Sequence, residues 1–107
     1  MYNVYSERIN MVNYGIIGCG MMGHEHLKNI KLLDDTNISA IFEPNSGMAQ
    51  SALELAPEAS LVDNLEKLLE FPDLDCLVIA SPNHCHLQQL FKISEIQKLP
   101  ILVEKPL

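Results

Sequence analysis

The sequence predicts an α/β fold, a doubly wound parallel sheet of five strands in the order 3-2-1-4-5 with four helices between them. Three observations carry it. Short apolar runs alternate with longer segments of helical period, with no low-complexity linker between them, the pattern of strands joined by helical crossovers. The run Asp75 to Ala80 is apolar on both faces, as in a central strand covered by helices on either side. Crossovers of this length are right-handed in nearly all cases, which makes that strand order the economical one.

The elements follow in chain order. Residues 1–10 have neither a basic start nor an apolar core, and residues 1–12 are expected to be a flexible extension, leaving residues 13–107 as a single folded domain. Tyr14 to Ile17 forms the first strand. Met21 to Leu33 follows as a helix with His26, Leu27, Ile30 and Leu33 on one face, closed by Asp34-Asp35-Thr36-Asn37. Ile38 to Glu43 reads as the second strand and Ser46 to Ala56 as a helix stopped by Pro57. Leu61-Val62 is a short third strand, and Asp63 with Glu66 forms a capping pair for a short helix over Asn64 to Glu70. Asp75 to Ala80 is the fourth strand. Ser81-Pro82-Asn83 opens the last helix, which carries Leu87, Leu90 and Phe91 at i, i+3, i+4, runs to about Gln97, and yields to a fifth strand over Ile101 to Glu104.

Composition narrows the function. The chain of 107 residues is 48% apolar, enough for one core. A formal charge of -7 without a Lys/Arg cluster argues against nucleic acid or an anionic membrane as partner, since either needs a basic face. No apolar run approaches the roughly 18 to 20 residues that span a bilayer. Cys19, Cys76 and Cys85 are an odd count without C-x-x-C spacing, which reads as reduced thiols of a cytoplasmic protein. His24-Glu25-His26 lacks the one-turn separation that lets two histidines share a metal, and His84 and Cys85 diverge by about 100° of helix rotation, so no metal site is read.

The turn after the first strand is Gly18-Cys19-Gly20-Met21-Met22-Gly23, a full G-x-G-x-x-G. The first glycine permits the tight turn, the second lets a pyrophosphate approach the backbone, and the third lets helix and strand pack closely. The helix beginning near Met21 directs free N–H groups of Met21, Met22 and Gly23 at those phosphates. Glu43, twenty residues beyond Gly23, ends the second strand. A carboxylate there accepts hydrogen bonds from the adenosine ribose and repels a 2′-phosphate, and no Lys or Arg follows through Gln50, so NAD is favoured over NADP.

Two further landmarks fall at the carboxyl edge of the sheet: Ser81-Pro82-Asn83-His84-Cys85-His86 after the fourth strand, and Glu104-Lys105-Pro106 after the fifth. Together with the glycine turn they closely resemble the N-terminal Rossmann domain of the Gfo/Idh/MocA oxidoreductases, over residues 13 to 107. The resemblance implies hydride exchange between a nicotinamide cofactor and the carbinol carbon of a sugar, cyclitol or related polyol. It carries a catalytic role over to Lys105, beside the nicotinamide and the reacting hydroxyl. It places Ser81, Pro82, Asn83 and His86 near the nicotinamide ribose, with Glu104 beside the ribose or orienting the lysine. A homo-oligomer is compatible with it.

The chain departs from the family pattern at Gln97-Lys98-Leu99-Pro100, where relatives carry an A-G-K-like turn, and it stops one residue past E-K-P. Family members continue into a second α/β domain that supplies most of the substrate pocket, so a fragment or truncated product, incomplete for turnover alone, is the expectation. Three alternatives stand beside it. One is a non-catalytic nucleotide-binding sensor or partner-docking module; another is an inactive remnant. The third, an S-adenosylmethionine-binding relative of the same fold, is opposed by the complete glycine motif and the E-K-P end.

Overall fold

The computed structural model describes residues 11–96 and 100–103. Among them run five strands and four helices: β1 (Val12–Ile17), α1 (Met21–Lys31), β2 (Thr36–Phe42), α2 (Ser46–Leu55), β3 (Ser60–Val62), α3 (Leu65–Leu69), β4 (Cys76–Ile79), α4 (Asn83–Ile96) and β5 (Ile101–Val103). All strands are parallel and the sheet order is β3-β2-β1-β4-β5, as the alternating pattern predicts. Of the expected extension, residues 1–10 lie outside the described residues and Val12 is already strand.

Because side chains of a strand alternate, each strand feeds two cores. Ile16 of β1, Ile38 and Ile41 of β2 and Val78 of β4 pack with Leu27 and Ile30 of α1 and Ala52 of α2 on one face. Ile17, Ala40, Leu77 and Ile79 pack on the other with Leu65, Leu68 and Leu69 of α3 and Ile93 of α4. Strict alternation would put Ile38 and Ala40 on the same face. They are separated because the β1–β2 register shifts: Tyr14 pairs Ile38, whereas Gly15 pairs Ala40. The bulge at Ser39 inserts one residue and turns the rest of β2 over, which also fixes the face addressed by Glu43 at its end. Gly15 lies under three leucines: a Cβ there would meet Leu68, Leu74 and Leu77 at 3.0–3.1 Å.

The element ends differ from the sequence reading where a side chain competes with the main chain. Helix α1 stops at Lys31 and Leu33 is 56% exposed, so the expected face keeps only Leu27 and Ile30 as buried members. Thr36 and Asn37 begin β2 instead of closing the helix. Thr36 Oγ1 donates to the carbonyls of Ile30 (2.9 Å) and Leu33 (3.2 Å), satisfying helix-end acceptors, and Asp35 makes the turn at φ 60. The N-cap of α3 is Asn64, whose side chain accepts from Lys67 N at 2.8 Å, while Asp63 pairs with the Lys67 ammonium at 3.3 Å; the expected Asp63–Glu66 box does not form. Glu66 reaches across to Lys92 of α4 at 2.7 Å.

The last helix is rotated from its expected setting. Leu87 and Phe91 are 66% and 63% exposed, whereas His86, Leu90 and Ile93 face the sheet. That stripe has spacing i, i+4, i+7, equally helical, but a histidine at its head disguises it. The expected extension of α4 to Gln97 and of β5 to Glu104 lies outside the described residues.

Candidate nucleotide site

The strand order reverses between β1 and β4, and the carboxyl ends of these two strands open a crevice there. The β1–β2 ladder continues one step past the strand, with Gly18 N donating to Phe42 O at 2.9 Å, while Ala80 N donates to Ile17 O at 2.8 Å. Gly18 then turns with φ 90, and a Cβ on it would collide with the backbone of Ser81. A Cβ on Gly23 would strike the carbonyl oxygen of Gly18. Both positions therefore admit only glycine. Gly20 is the opposite case: a Cβ there meets nothing within 4 Å. The emptiness lies on the side of a cleft of about 760 Å³, whose walls include Gly18, Gly20, Met21, Met22, Glu43, Ser81 and Pro82.

Helix α1 starts at this wall. Gly20 is its N-cap, and the first intrahelical bond is His24 N to Gly20 O at 2.9 Å, so the N–H groups of Met21, Met22 and Gly23 precede the ladder and are left to an external acceptor. The first turn carries no acidic side chain that could fill that place, whereas Lys28 and Lys31 in the last turn complement the negative end of the helix dipole. His24 Nδ1 donates to the same Gly20 carbonyl at 3.0 Å.

At the other wall, Glu43 Oε1 accepts from Cys19 N at 2.6 Å and Oε2 from Asn45 N at 2.9 Å. Cys19 is fully buried, and burial, with the Glu43 charge second, pushes its thiol up to about 12; it is a neutral packing residue. Asn45 caps α2 by accepting from Met48 N at 3.0 Å.

The third wall follows β4. Ser81 Oγ donates to Gln89 Oε1, and His86 Nε2 donates to Ser81 O at 2.6 Å. His86 is 9% exposed, so its ring supports the Ser81-Pro82 turn from behind. Asn83 opens α4; Glu104 and Lys105 lie outside the described residues. Of the residues expected from the sequence, the structure thus gathers Gly18, Gly20, Met21, Met22, Glu43, Ser81 and Pro82 around one cleft, with Gly23 and His86 packed behind its walls.

The cleft is also lined by Phe42, Asn45, Met48, Cys85, Gln88 and Gln89, which the sequence reading missed. Asn45 and Met48 had a readable signal, an N-cap residue at the start of the helix after β2. Gln88 and Gln89 had none, because they follow from how α4 is rotated. Among the described residues no three His, Cys, Asp or Glu side chains gather as a metal would require, and no helix is long and apolar enough to cross a membrane.

These residues fit a dinucleotide. An open space over Gly20 meets unpaired helix N–H groups, and a carboxylate stands at the end of β2. Comparison with known proteins agrees. Residues 12–107 match the Gfo/Idh/MocA family, described as an oxidoreductase family with an NAD-binding Rossmann fold. The chain is 37% identical over 94 residues to an inositol 2-dehydrogenase of Corynebacterium glutamicum, covering 87% of this chain and 28% of that protein. It is 29% identical over 97 residues to the 2,7-anhydro-N-acetylneuraminate hydratase of Escherichia coli, covering 91% of this chain and 25% of that one. Among solved structures it is similar to myo-inositol dehydrogenase of Lactobacillus casei in complex with NAD(H) and myo-inositol, with a TM-score of 0.82 at 26% identity, over 90% of this chain and 29% of that one. The chain therefore spans between a quarter and a third of the length of these relatives. The glycine turn, the cleft and the family match agree, and the chain belongs to the Gfo/Idh/MocA oxidoreductases as their NAD-binding Rossmann domain.

Proposed function

We propose that this domain holds NAD, in preference to NADP, for hydride exchange with the carbinol carbon of a cyclitol, sugar or related polyol. The observation that carries the reading is the contrast among the three glycines: two are closed to any side chain, and Gly20 faces open space at the N-terminus of α1. The N–H groups of Met21, Met22 and Gly23 would hold the pyrophosphate. Glu43 would accept from the adenosine ribose, and its charge disfavours a 2′-phosphate at the same place. Bound there, the nicotinamide supplies the hydride chemistry, and the protein's part is placement and electrostatics.

Ser81 and Pro82 belong to the wall toward β4, where Asn83 also starts its helix; these three are assigned to the nicotinamide side, with His86 steadying the turn. Glu104 and Lys105 are assigned by the family motif. The Lys105 ammonium would hydrogen-bond the reacting oxygen of the substrate and move its proton, with Glu104 orienting it. The inositol 2-dehydrogenase likeness supports a polyol as substrate class. Three free cysteines support a cytoplasmic setting.

Calorimetric titration tests the cofactor reading. The expected result is saturable NAD binding, weaker NADP binding, and a loss of at least about tenfold in NAD affinity for Gly20→Val, whose side chain would occupy the phosphate approach. Wild-type chain that stays folded and takes up no NAD at about 1 mM would overturn it.

A further inference from the structure

The glycine loop is held on two sides by the protein's own contacts. On one side Gly18 is wedged against the backbone of Ser81. On the other, the main-chain ladder between β1 and β2 ends with Gly18 N to Phe42 O, and the next N–H, that of Cys19, is taken by a side chain: Glu43 Oε1 at 2.6 Å. The second oxygen of the same carboxylate accepts from Asn45 N at 2.9 Å. A single side chain thus ties the phosphate loop to the β2–α2 turn, through two N–H donors to an ionised acceptor, the stronger kind of hydrogen bond. Cys19 is fully buried while Glu43 is in place, so its N–H has that oxygen as its partner, and removing the carboxylate, which lines the cleft, leaves the donor without it and opens it to exchange. The residue that follows is Gly20, over which the space for a ligand is open.

We infer that Glu43 is a strut of the glycine loop as well as a ribose acceptor, so that removing its carboxylate destroys the phosphate site instead of transferring preference from NAD to NADP. The inference rests on the dinucleotide reading above. Glu43 acts on the pyrophosphate as a positioning residue, through the Cys19 amide. A charge filter alone would behave differently: taking the charge away would admit the 2′-phosphate and leave the loop untouched.

The test has two readouts on the full 107-residue chain. The first is hydrogen exchange at the Cys19 amide without nucleotide, with the Ile16 amide as an internal control for global unfolding. Glu43→Ala is expected to speed exchange at Cys19 by about tenfold or more relative to Ile16, the signature of a lost buried acceptor. Glu43→Gln, whose amide oxygen can still accept from Cys19, is expected to keep most of the protection. The second readout is affinity for NAD and NADP. Glu43→Ala is expected to lose both by about tenfold or more, whereas Glu43→Gln stays within about threefold for NAD and narrows the gap between the two nucleotides. Cys19 protection unchanged in Glu43→Ala, or a gain in NADP affinity by that variant, would overturn the strut. Should the wild-type chain bind neither nucleotide, the dinucleotide reading fails, and Cys19 exchange alone still decides whether Glu43 holds the loop.

Discussion

Gly18, Gly20 and Gly23 share one motif and do three different things, and a methyl group separates them. On Gly18 it would combine a φ of 90 with a backbone collision at Ser81, and on Gly23 it would strike the Gly18 carbonyl. Gly18→Ala and Gly23→Ala are expected to lose about 2 to 4 kcal/mol of stability each in urea unfolding. Gly20, at φ -70 in open space, should tolerate alanine within about 1 kcal/mol. Between the glycines stands Cys19. Its folded value of about 12 lies above the roughly 8.5 of an unfolded thiol. The stability tied to the neutral thiol is complete below about 8.5. It falls as pH rises toward 12, because the unfolded chain releases this proton first, by up to about 1.4 kcal/mol per pH unit. Tyr14 and Cys76, both raised chiefly by burial, slope the same way. Urea midpoints measured between pH 7.5 and 10 should fall, and Cys19→Ala should flatten that fall; a curve of unchanged slope in the variant would assign the loss to other groups. The places of Gly18, Gly20 and Glu43 around the cleft were legible because residue type and spacing state them. The bond from Cys19 N to Glu43 was not, since every residue but proline carries that donor and nothing in the sequence marks which N–H lacks a main-chain partner.

At the scale of elements, periodicity located all five strands and four helices and misjudged which side some of them bury. For α4, Leu87, Leu90 and Phe91 form a helical triplet, and so do His86, Leu90 and Ile93; the second lies against the sheet. The choice falls to the second because His86 can satisfy its ring on Ser81 O while buried, which hydropathy alone does not credit. Ile93→Ala should therefore cost about 2 to 5 kcal/mol, and Leu87→Gln or Phe91→Ser no more than about 0.5 kcal/mol, by denaturant midpoint. Equal losses at Leu87 and Ile93 would return the helix to its sequence-expected setting. The Ser39 bulge was hidden for a similar reason. Asn37-Ile38-Ser39-Ala40-Ile41 suits a plain strand, and the extra residue shows only once Tyr14 is paired with Ile38 and Gly15 with Ala40. Likewise Asn64, directly after Asp63, took the capping place because its side chain reaches the Lys67 N–H.

The described residues form two cores divided by one sheet, with the cleft where the order of strands reverses. This level was the most legible, since alternation of strand and helix, right-handed crossovers and a glycine turn after β1 leave little freedom in topology. The same order has a consequence for how the chain is made. Sequence runs β1, β2, β3 down one side of the sheet, and only then returns to β4 on the other side of β1. Emerging from the ribosome, residues 12–62 can pair among themselves, while the edge of β1 that faces β4 keeps its hydrogen-bonding groups open until Cys76–Ile79 are synthesised. Ile17, which pairs with Ile79 and shares its core with Leu77 and Ile93, waits as well. A nascent chain thus carries its most central strand as a temporary edge, the condition in which strands of different molecules join. The interval before β4 arrives therefore sets how long that edge stays open.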